Sequence, residues 1–203
     1  VMTFTDVATP GEVRRVSNDD WQINACPHHG PSLTVAPNGT YHVAWYTNGK
    51  ARKGLFYAHS RDEGRTFSSP MALGQPGRNP TRPYVLAGPA GTVMVWKEFD
   101  GEKTSVQMTV SRDDGETWLP PKTIASTSDT SDHPLLVSNG KQTYLSWMTK
   151  ADGIASQPSR TSHEISICRH RESGRSDRIF GCVRHVSRPE AVRTRNLAKR
   201  PSG

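Results

Sequence analysis

The chain repeats itself at an interval of 51 residues, and this period constrains its fold more than any other feature. The octapeptide SRDEGRTF at 60–67 returns 51 residues later as SRDDGETW at 111–118. Trp45, Trp96 and Trp147 are separated by the same 51 residues. A fixed period of this size indicates supersecondary units that stack on one another and share their cores. We therefore expect a repeat protein.

Each unit predicts four strands. The segments PSLTVAPNGTYHVAWYT, RPYVLAGPAGTVMVWKEF and HPLLVSNGKQTYLSWMT share a proline start, a glycine-containing turn and an alternating run that ends at tryptophan, which is typical of a hairpin. A third strand follows, with one face formed by Leu55, Tyr57 and His59 or by Val106, Met108 and Val110. FSSPMAL and WLPPKTIA predict a fourth strand at an outer edge. Four antiparallel strands per unit indicate an all-β fold, a fragment of a β-propeller.

The octapeptide has the composition of a turn between the third and fourth strands. Its Asp accepts hydrogen bonds from backbone N–H groups, its Gly permits a positive φ, and its Thr bonds locally. The aromatic residue at its end starts the fourth strand and packs between sheets. We expect a structural role for Asp62, Gly64, Thr66, Phe67, Asp113, Gly115, Thr117 and Trp118. A calcium loop would need more oxygen ligands.

The two octapeptides resemble the Asp-box of the sialidase-like propellers, the BNR-repeat family. The resemblance covers residues 1 to about 154. It implies that the Asp-box is a structural turn remote from the active site. It also implies a secreted, extracellular or periplasmic parent protein that processes glycosides as an exo-α-sialidase does, of which this chain is an incomplete, inactive piece. The alternative is a non-catalytic Asp-box propeller that binds a glycan or a protein.

The repeat also predicts the domain boundaries. Residues 1–25 form the end of a preceding blade and an enlarged loop, with Thr3 and Phe4 standing where Thr66 and Phe67 stand later. The predicted units are then a blade at 26–76, a blade at 77–128, the start of a third blade at 129–154, and a basic tail at 155–203 that is disordered or translated out of frame. The expected partners are a carbohydrate or glycoconjugate and the missing blades of the same propeller.

Two kinds of loop are expected at the end of the blades opposite the octapeptides. One kind follows each tryptophan (TNGKARKG, KEFDGEKTS, TKADG), and the other leads into the next blade (INACPHHG, GQPGRNPTR, STSDTSDH). We call this end the loop face and the opposite end the octapeptide face. One connecting loop is enlarged, since Phe4 to Pro31 spans 27 residues whereas Phe67 to Pro83 spans 16. Long loops on a rigid scaffold are common binding sites.

The loop face holds the predicted site residues. A sialidase-like site requires an arginine cluster for the substrate carboxylate and an acid/base residue. Two segments match the family's Arg-x-Pro signature in part: Arg78-Asn79-Pro80 has its spacing but precedes the strand start, and Arg82-Pro83 has its position but lacks the intervening residue. The predicted catalytic residues are Asp132 and Glu98, and the predicted substrate-binding residues are Arg78, Arg82, His28, His29 and His133. The alternatives are solvated loop arginines and a strand-capping role for Asp132.

Metal and cofactor sites are not expected. The segment Cys26-Pro27-His28-His29, together with His133, contains soft ligands, but these residues more often pack at the base of a loop. In the tail, Cys168 and His170 with Cys182 and His185 have irregular spacing for zinc.

The charge distribution disfavours nucleic-acid binding. Residues 1–154 contain 15 Lys and Arg against 15 Asp and Glu, whereas residues 155–203 contain 11 against 4, so the net charge of +7 comes from the tail. No aromatic interleaving or recognition motif accompanies these arginines. No apolar run approaches the roughly 18 residues of a membrane span.

Overall fold

The computed structural model describes residues 1–4, 6, 9–23, 30–88, 91–151 and 153–159. Within these ranges the chain forms strands joined by turns and contains no helix. The strands are β1 (Met2–Phe4), β2 (Pro10–Val13), β3 (Ser32–Val35), β4 (Tyr41–Asn48), β5 (Lys53–Ser60), β6 (Met71–Leu73), β7 (Thr81–Gly88), β8 (Gly91–Phe99), β9 (Thr104–Ser111), β10 (Lys122–Thr127), β11 (Leu135–Ser138), β12 (Thr143–Thr149) and β13 (Gly153–Ser159).

The strands form four antiparallel sheets, in which sequential strands are neighbours. The first blade is β3-β4-β5-β6, the second blade is β7-β8-β9-β10, and the third blade is the three-stranded sheet β11-β12-β13. The pair β1-β2 forms a separate sheet before the first blade. The architecture of four-stranded antiparallel units predicted from the repeat is therefore confirmed.

The structure differs from the predicted boundaries at both ends. Thr3 and Phe4 lie in β1, which pairs with β2, and not in a turn like that of Thr66 and Phe67. Strand β13 runs to Ser159 and so continues past the boundary expected at residue 154. The rest of the predicted tail, residues 160–203, lies outside the described residues.

Each blade buries its apolar residues against the next blade. Side chains alternate between the two faces of a strand, so each central strand contributes to two cores. Trp96 of β8 packs on the first blade, and Trp147 of β12 packs on the second. The first interface contains Ala44, Leu55, Tyr57, Val85, Met94 and Trp96. The second contains Val93, Val95, Val106, Leu136, Leu145 and Trp147. A blade therefore has no core of its own.

The first and second blades are also joined along their first strands, β3 and β7. The Val85 amide donates to the Ser32 hydroxyl at 3.0 Å, and the Ala87 amide donates to the Thr34 hydroxyl at 3.3 Å. These bonds satisfy backbone groups of β7, which lies at an edge of its sheet among the described strands.

The two octapeptides form the same turn. In the first, the Thr66 amide and hydroxyl donate to the Asp62 carboxylate at 2.8 and 2.6 Å, and the Gly64 amide donates to the Ser60 hydroxyl at 2.9 Å. Asp113 accepts the same bonds from Thr117 in the second. Hydrogen bonds from threonine hold the pKa of Asp62 far below its ordinary value and lower that of Asp113 to about 2.

The second octapeptide also packs against the first blade. Gly115 has a φ of 87°, and a Cβ atom there would lie 1.9 Å from the Tyr57 hydroxyl. Trp118 meets the Tyr57 ring edge-on at a centroid distance of 4.9 Å. Asn38 of the first blade donates to Asp114 at 2.6 Å. The octapeptide is therefore both a turn and a contact between blades, and its glycine is required sterically.

A buried polar pair lies beneath this contact. His42 Nδ1 and the Tyr57 hydroxyl are 2.7 Å apart, and both side chains are almost fully buried. Burial lowers the pKa of His42 to about 4 and raises the pKa of Tyr57. His42 is consequently neutral at physiological pH, since its charged form would lose hydration and lie near His59, and the negative charge of Asp114 offsets only part of this cost.

We predict that Asp62→Ala and Asp113→Ala each lower the melting temperature by a few degrees, because each removes the acceptor of several turn hydrogen bonds. Thermal unfolding followed by circular dichroism measures the effect. Glu63→Gln is the matched control, since Glu63 lies in the same turn, is exposed, and has its carboxylate 3.5 Å from the Arg65 guanidinium. Equal melting temperatures for Asp62→Ala and Glu63→Gln would contradict the structural role.

We predict that stability falls as the pH is lowered from about 6.5 towards 4. The unfolded chain binds a proton at His42 near its ordinary pKa of 6.5, whereas the folded chain binds it only near 4. Between these values protonation favours unfolding, by up to about 3 kcal/mol for the full shift. Urea unfolding at pH 7 and pH 5 tests this. His42→Gln should have a flatter pH dependence, and an unchanged slope would contradict the assignment.

Candidate functional site

The structure brings the two kinds of loop together at one end of the blades. The Phe99 amide, after the second tryptophan, donates to the Arg78 carbonyl at 2.7 Å in the loop that leads into β7. One unit later the Lys150 amide, after the third tryptophan, donates to the Thr130 carbonyl at 2.9 Å in the same way. At the opposite end, Asn38 in the turn between β3 and β4 donates to Asp114 in the second octapeptide, so this turn lies at the octapeptide face. Within the second and third blades, the loop after tryptophan is thus hydrogen-bonded to the loop that leads into the blade.

A bulge presents Arg82 at the start of β7, the first strand of the second blade. The pairing of β7 with β8 shifts register between Thr81 and Tyr84, and Arg82 lies there with a φ of 56°. This left-handed conformation is uncommon for a residue other than glycine. Bulges redirect side chains next to functional sites, and such conformations concentrate at functional sites. Arg82 of the motif Arg82-Pro83 therefore lies in an irregular part of β7, and its substrate-binding role stays a prediction.

Lys97 links the second blade to the third beside Arg82. Its ammonium group donates to the carbonyls of Ser131 and Asp132 at 3.0 and 3.2 Å. Burial, and then the positive charge of Arg82, lower the pKa of Lys97. Lys97 pairs with Thr81, the residue before Arg82, in the register of β7 and β8, so the two cations belong to adjacent strands at the loop face. Lys97 also holds residues 131 and 132 through their carbonyl groups.

Asp132 and His133 belong to the segment that Lys97 holds through its backbone carbonyl groups. The Asp132 carboxylate accepts a hydrogen bond from the His133 amide at 2.7 Å and lies 3.5 Å from His133 Nδ1. Its side chain is 56% exposed. The carboxylate is therefore fixed by its neighbour yet accessible to a ligand. The Asp132 carbonyl thus lies at Lys97, and the predicted catalytic role of Asp132 and the predicted binding roles of Arg82 and His133 stay predictions.

Glu98 and Arg78 lie in different surroundings. Glu98 is 3% exposed, and its Oε1 atom accepts hydrogen bonds from the Trp96 indole at 2.9 Å and from the Gln75 amide at 3.0 Å. Its carboxylate anchors the loop after β6 to the second tryptophan. Arg78 is exposed and lies 3.8 Å from Asp100. The predicted catalytic role of Glu98 and the predicted binding role of Arg78 stay predictions.

The predicted residues His28 and His29, with Cys26, lie outside the described residues. In the part of the chain that the structure describes, no three His, Cys, Asp or Glu side chains are grouped closely enough to hold a metal ion. The described residues also include no helix that could span a membrane.

Sequence reasoning did not single out Lys97 or Ser131. Lys97 stands at the repeat position directly after tryptophan, where the other units carry Tyr46 and Met148. A charge at a position that is apolar or aromatic in the other repeats is the signal that could have identified it. The Ser131 hydroxyl is buried without a hydrogen-bond partner, a feature that sequence does not reveal.

Asp19 is a second residue that sequence reasoning missed. It is 4% exposed and accepts hydrogen bonds from the Trp45 indole at 2.6 Å and from Arg52 at 2.7 Å. Burial alone would raise the pKa of the Asp19 carboxyl group. Hydrogen bonds from Ser17, Arg52 and Trp45 outweigh this effect and bring the pKa below its ordinary value. Asp19 thereby ties the beginning of the enlarged loop to the first blade.

No family model and no curated protein matches this sequence. Solved structures do match. The α-L-arabinanase of Penicillium chrysogenum is 15% identical over 77% of this chain and 52% of its own, with a TM-score of 0.58. An α-L-arabinofuranosidase of Fusarium graminearum, solved with an iminosugar inhibitor, is 15% identical over 77% of this chain and 53% of its own, with a TM-score of 0.60.

The chain has a β-propeller fold. A protein of unknown function from Dyadobacter fermentans shares it, at 17% identity over 64% of this chain and 47% of its own, with a TM-score of 0.52. The chain spans about half the length of the solved propellers it matches. At these identities the likeness establishes the fold alone, so the activity has to be inferred from the loop face.

We predict that Lys97→Met loosens the segment 129–133 without unfolding the blades, because it removes the donor that holds two carbonyl groups of this loop. Hydrogen exchange read by mass spectrometry should show faster exchange in this segment. Lys103→Met, a change of an exposed lysine in the loop after β8, is the control. Protection that is the same in both variants would contradict the role of Lys97.

Proposed function

We propose that this chain forms part of a glycoside-processing propeller of the sialidase-like class and that its loop face binds an acidic sugar. The proposal is supported by the fold, which is shared with an arabinanase and an arabinofuranosidase. It is also supported by the two octapeptides that resemble the Asp-box. The binding residues are Arg82, His133 and Lys97, with Asp132 as the acid/base residue.

The observation that carries this proposal is the cation pair of Arg82 and Lys97 beside an exposed carboxylate. Lys97 of β8 pairs with Thr81, the residue before Arg82 in β7, and its ammonium group donates to the Asp132 carbonyl. A guanidinium group matches a carboxylate in a bidentate geometry, and an ammonium group adds a second positive charge. These groups favour a sugar that carries a carboxylate over a neutral sugar.

Asp132 has the accessibility that an acid/base residue needs. It would protonate the glycosidic oxygen as the bond to the anomeric carbon breaks, and then take a proton from the attacking water. A nucleophile on the opposite side of the sugar is also required in a retaining mechanism. Further blades would contribute that group.

A binding propeller without catalysis is the second proposal, and the environment of Glu98 favours it. Glu98 is the other predicted catalytic carboxylate, but its Oε1 atom already bonds to Trp96 and to the Gln75 amide. A carboxylate that supports a loop is poorly suited to reaction at a sugar. In this case the same cation pair would recognise an acidic glycan without cleaving it.

We predict that N-acetylneuraminic acid binds more tightly than arabinobiose, a neutral sugar, in saturation-transfer NMR titrations of the full chain. Arg82→Gln should weaken binding of the acid by about tenfold or more, since a charge-assisted hydrogen bond contributes about 1.5–3 kcal/mol. Arg112→Gln is the matched control, since Arg112 lies in the second octapeptide at the opposite face. Equal affinity for both sugars, or equal effects of both variants, would refute the acidic-sugar site.

Turnover of a fluorogenic sialoside separates the two proposals. Hydrolysis that Asp132→Asn abolishes, with binding retained, supports the enzyme. Binding that is sensitive to Arg82→Gln, with no hydrolysis by the assembled propeller, supports the binding module.

A further inference from the structure

Each of the three repeat tryptophans buries its indole ring, so its N–H group needs a hydrogen-bond acceptor inside the protein. Trp45, Trp96 and Trp147 are 7%, 1% and 3% exposed. A buried N–H group without an acceptor loses its bonds to water and destabilises the fold. Each unit therefore has to supply an acceptor beside its tryptophan, near the end of the second strand that leads to the loop face.

The first two units use a buried carboxylate as this acceptor. The Trp45 indole donates to Asp19 at 2.6 Å, and the Trp96 indole donates to Glu98 at 2.9 Å. Both carboxylates also hold the segment that leads into their blade, since Asp19 itself belongs to the segment before β3 and Glu98 accepts the Gln75 amide before β7. In these units the carboxylate is therefore committed to supporting a loop.

The third unit uses a backbone carbonyl group instead. The Trp147 indole donates to the Asp132 carbonyl at 3.0 Å, and the Lys97 ammonium donates to the same oxygen at 3.2 Å. The Asp132 amide donates to the Met148 carbonyl at 2.9 Å. The second and third blades thus both hold the Asp132 backbone, while its carboxylate accepts the His133 amide at 2.7 Å and not the indole.

We propose that Trp147 is a positioning residue for Asp132: its indole N–H group and the Lys97 ammonium together fix the backbone from which the Asp132 carboxylate extends. The inference rests on the proposed function, in which Asp132 is the acid/base residue. Reactive groups are effective only when supporting contacts hold their geometry. Because a carbonyl group satisfies the indole in this unit, the carboxylate of Asp132 takes part in chemistry, whereas Asp19 and Glu98 support the loops of their blades.

The indole N–H resonances in proton–nitrogen NMR spectra of the full chain test which group accepts each bond. Glu98→Gln is expected to shift the Trp96 indole resonance, because it replaces a charged acceptor by a neutral one. Asp132→Asn is expected to leave the Trp147 indole resonance in place, since it changes the carboxylate but not the carbonyl group. A Trp147 resonance that moves as far as that of Trp96 would overturn the proposal.

Trp147→Phe removes the N–H donor and keeps an aromatic ring, so it tests the positioning itself. The amides of Asp132 and His133 should exchange with solvent about tenfold faster, since one hydrogen bond of this segment is lost. The amide of Leu145, in the same strand as Trp147, should keep its exchange rate. Trp45→Phe is the matched control, because it removes the same donor from the first blade and should leave the Asp132 and His133 amides unchanged.

The His133 amide resonance reports the position of the Asp132 carboxylate, to which this amide donates. Asp132→Asn should shift the resonance in the unaltered chain and shift it by about half as much or less in the Trp147→Phe chain, because the two changes are coupled. Equal shifts in both chains, or unchanged amide exchange in Trp147→Phe, would refute the positioning role.

Circular dichroism checks the fold of Trp147→Phe. If this variant does not fold, the comparison of Asp132→Asn with Glu98→Gln decides the case, since neither change touches a tryptophan. None of these measurements uses a ligand. Failure of N-acetylneuraminic acid to bind would therefore refute the proposed function alone, whereas a failed positioning test would leave sugar binding through Arg82 in place.

Discussion

The burial of apolar surface between adjacent blades is the interaction on which the structure depends. A four-stranded sheet exposes two faces, and each face here is apolar at alternate positions, so a single blade cannot remove its own surface from water. Trp96 and Trp147 bury this surface between neighbouring blades. Each tryptophan extends from the second strand of its blade into the blade before it. Stability is then the sum of contacts between neighbours, as in other repeat architectures.

The polar groups of the chain are arranged around these apolar interfaces, and the two ends of the blades use them differently. At the octapeptide face, Asp62 and Asp113 satisfy backbone donors within a turn, and Gly115 allows the turn to lie directly on Tyr57. At the loop face, Lys97 crosses from one blade to the next and holds the loop that carries Asp132. The first arrangement stabilises the interface, whereas the second leaves charged groups accessible at its edge.

The elements repeated in the sequence were the easiest to predict. The period of the tryptophans and the alternation around them led to the four-stranded units, because strand periodicity and turn chemistry are local properties. The same reasoning placed Arg82, Asp132 and His133 at one end of the blades. It did not reveal that Arg82 lies in a bulge or that Glu98 is buried under the loop of Gln75. Both depend on contacts between segments that are more than ten residues apart.

The sequence by itself determined the unit, its strands and the residues of its turns, since a repeated pattern reports the environment that every copy shares. Only the tertiary structure decided which side chains are in contact across the interface between two blades. Lys97 and Asp132 are far apart in the chain, and their approach depends on how the second and third blades pack. The burial of His42 against Tyr57 likewise depends on the neighbouring octapeptide. A pattern within one unit cannot specify these contacts, because they form only when one unit is stacked on the next.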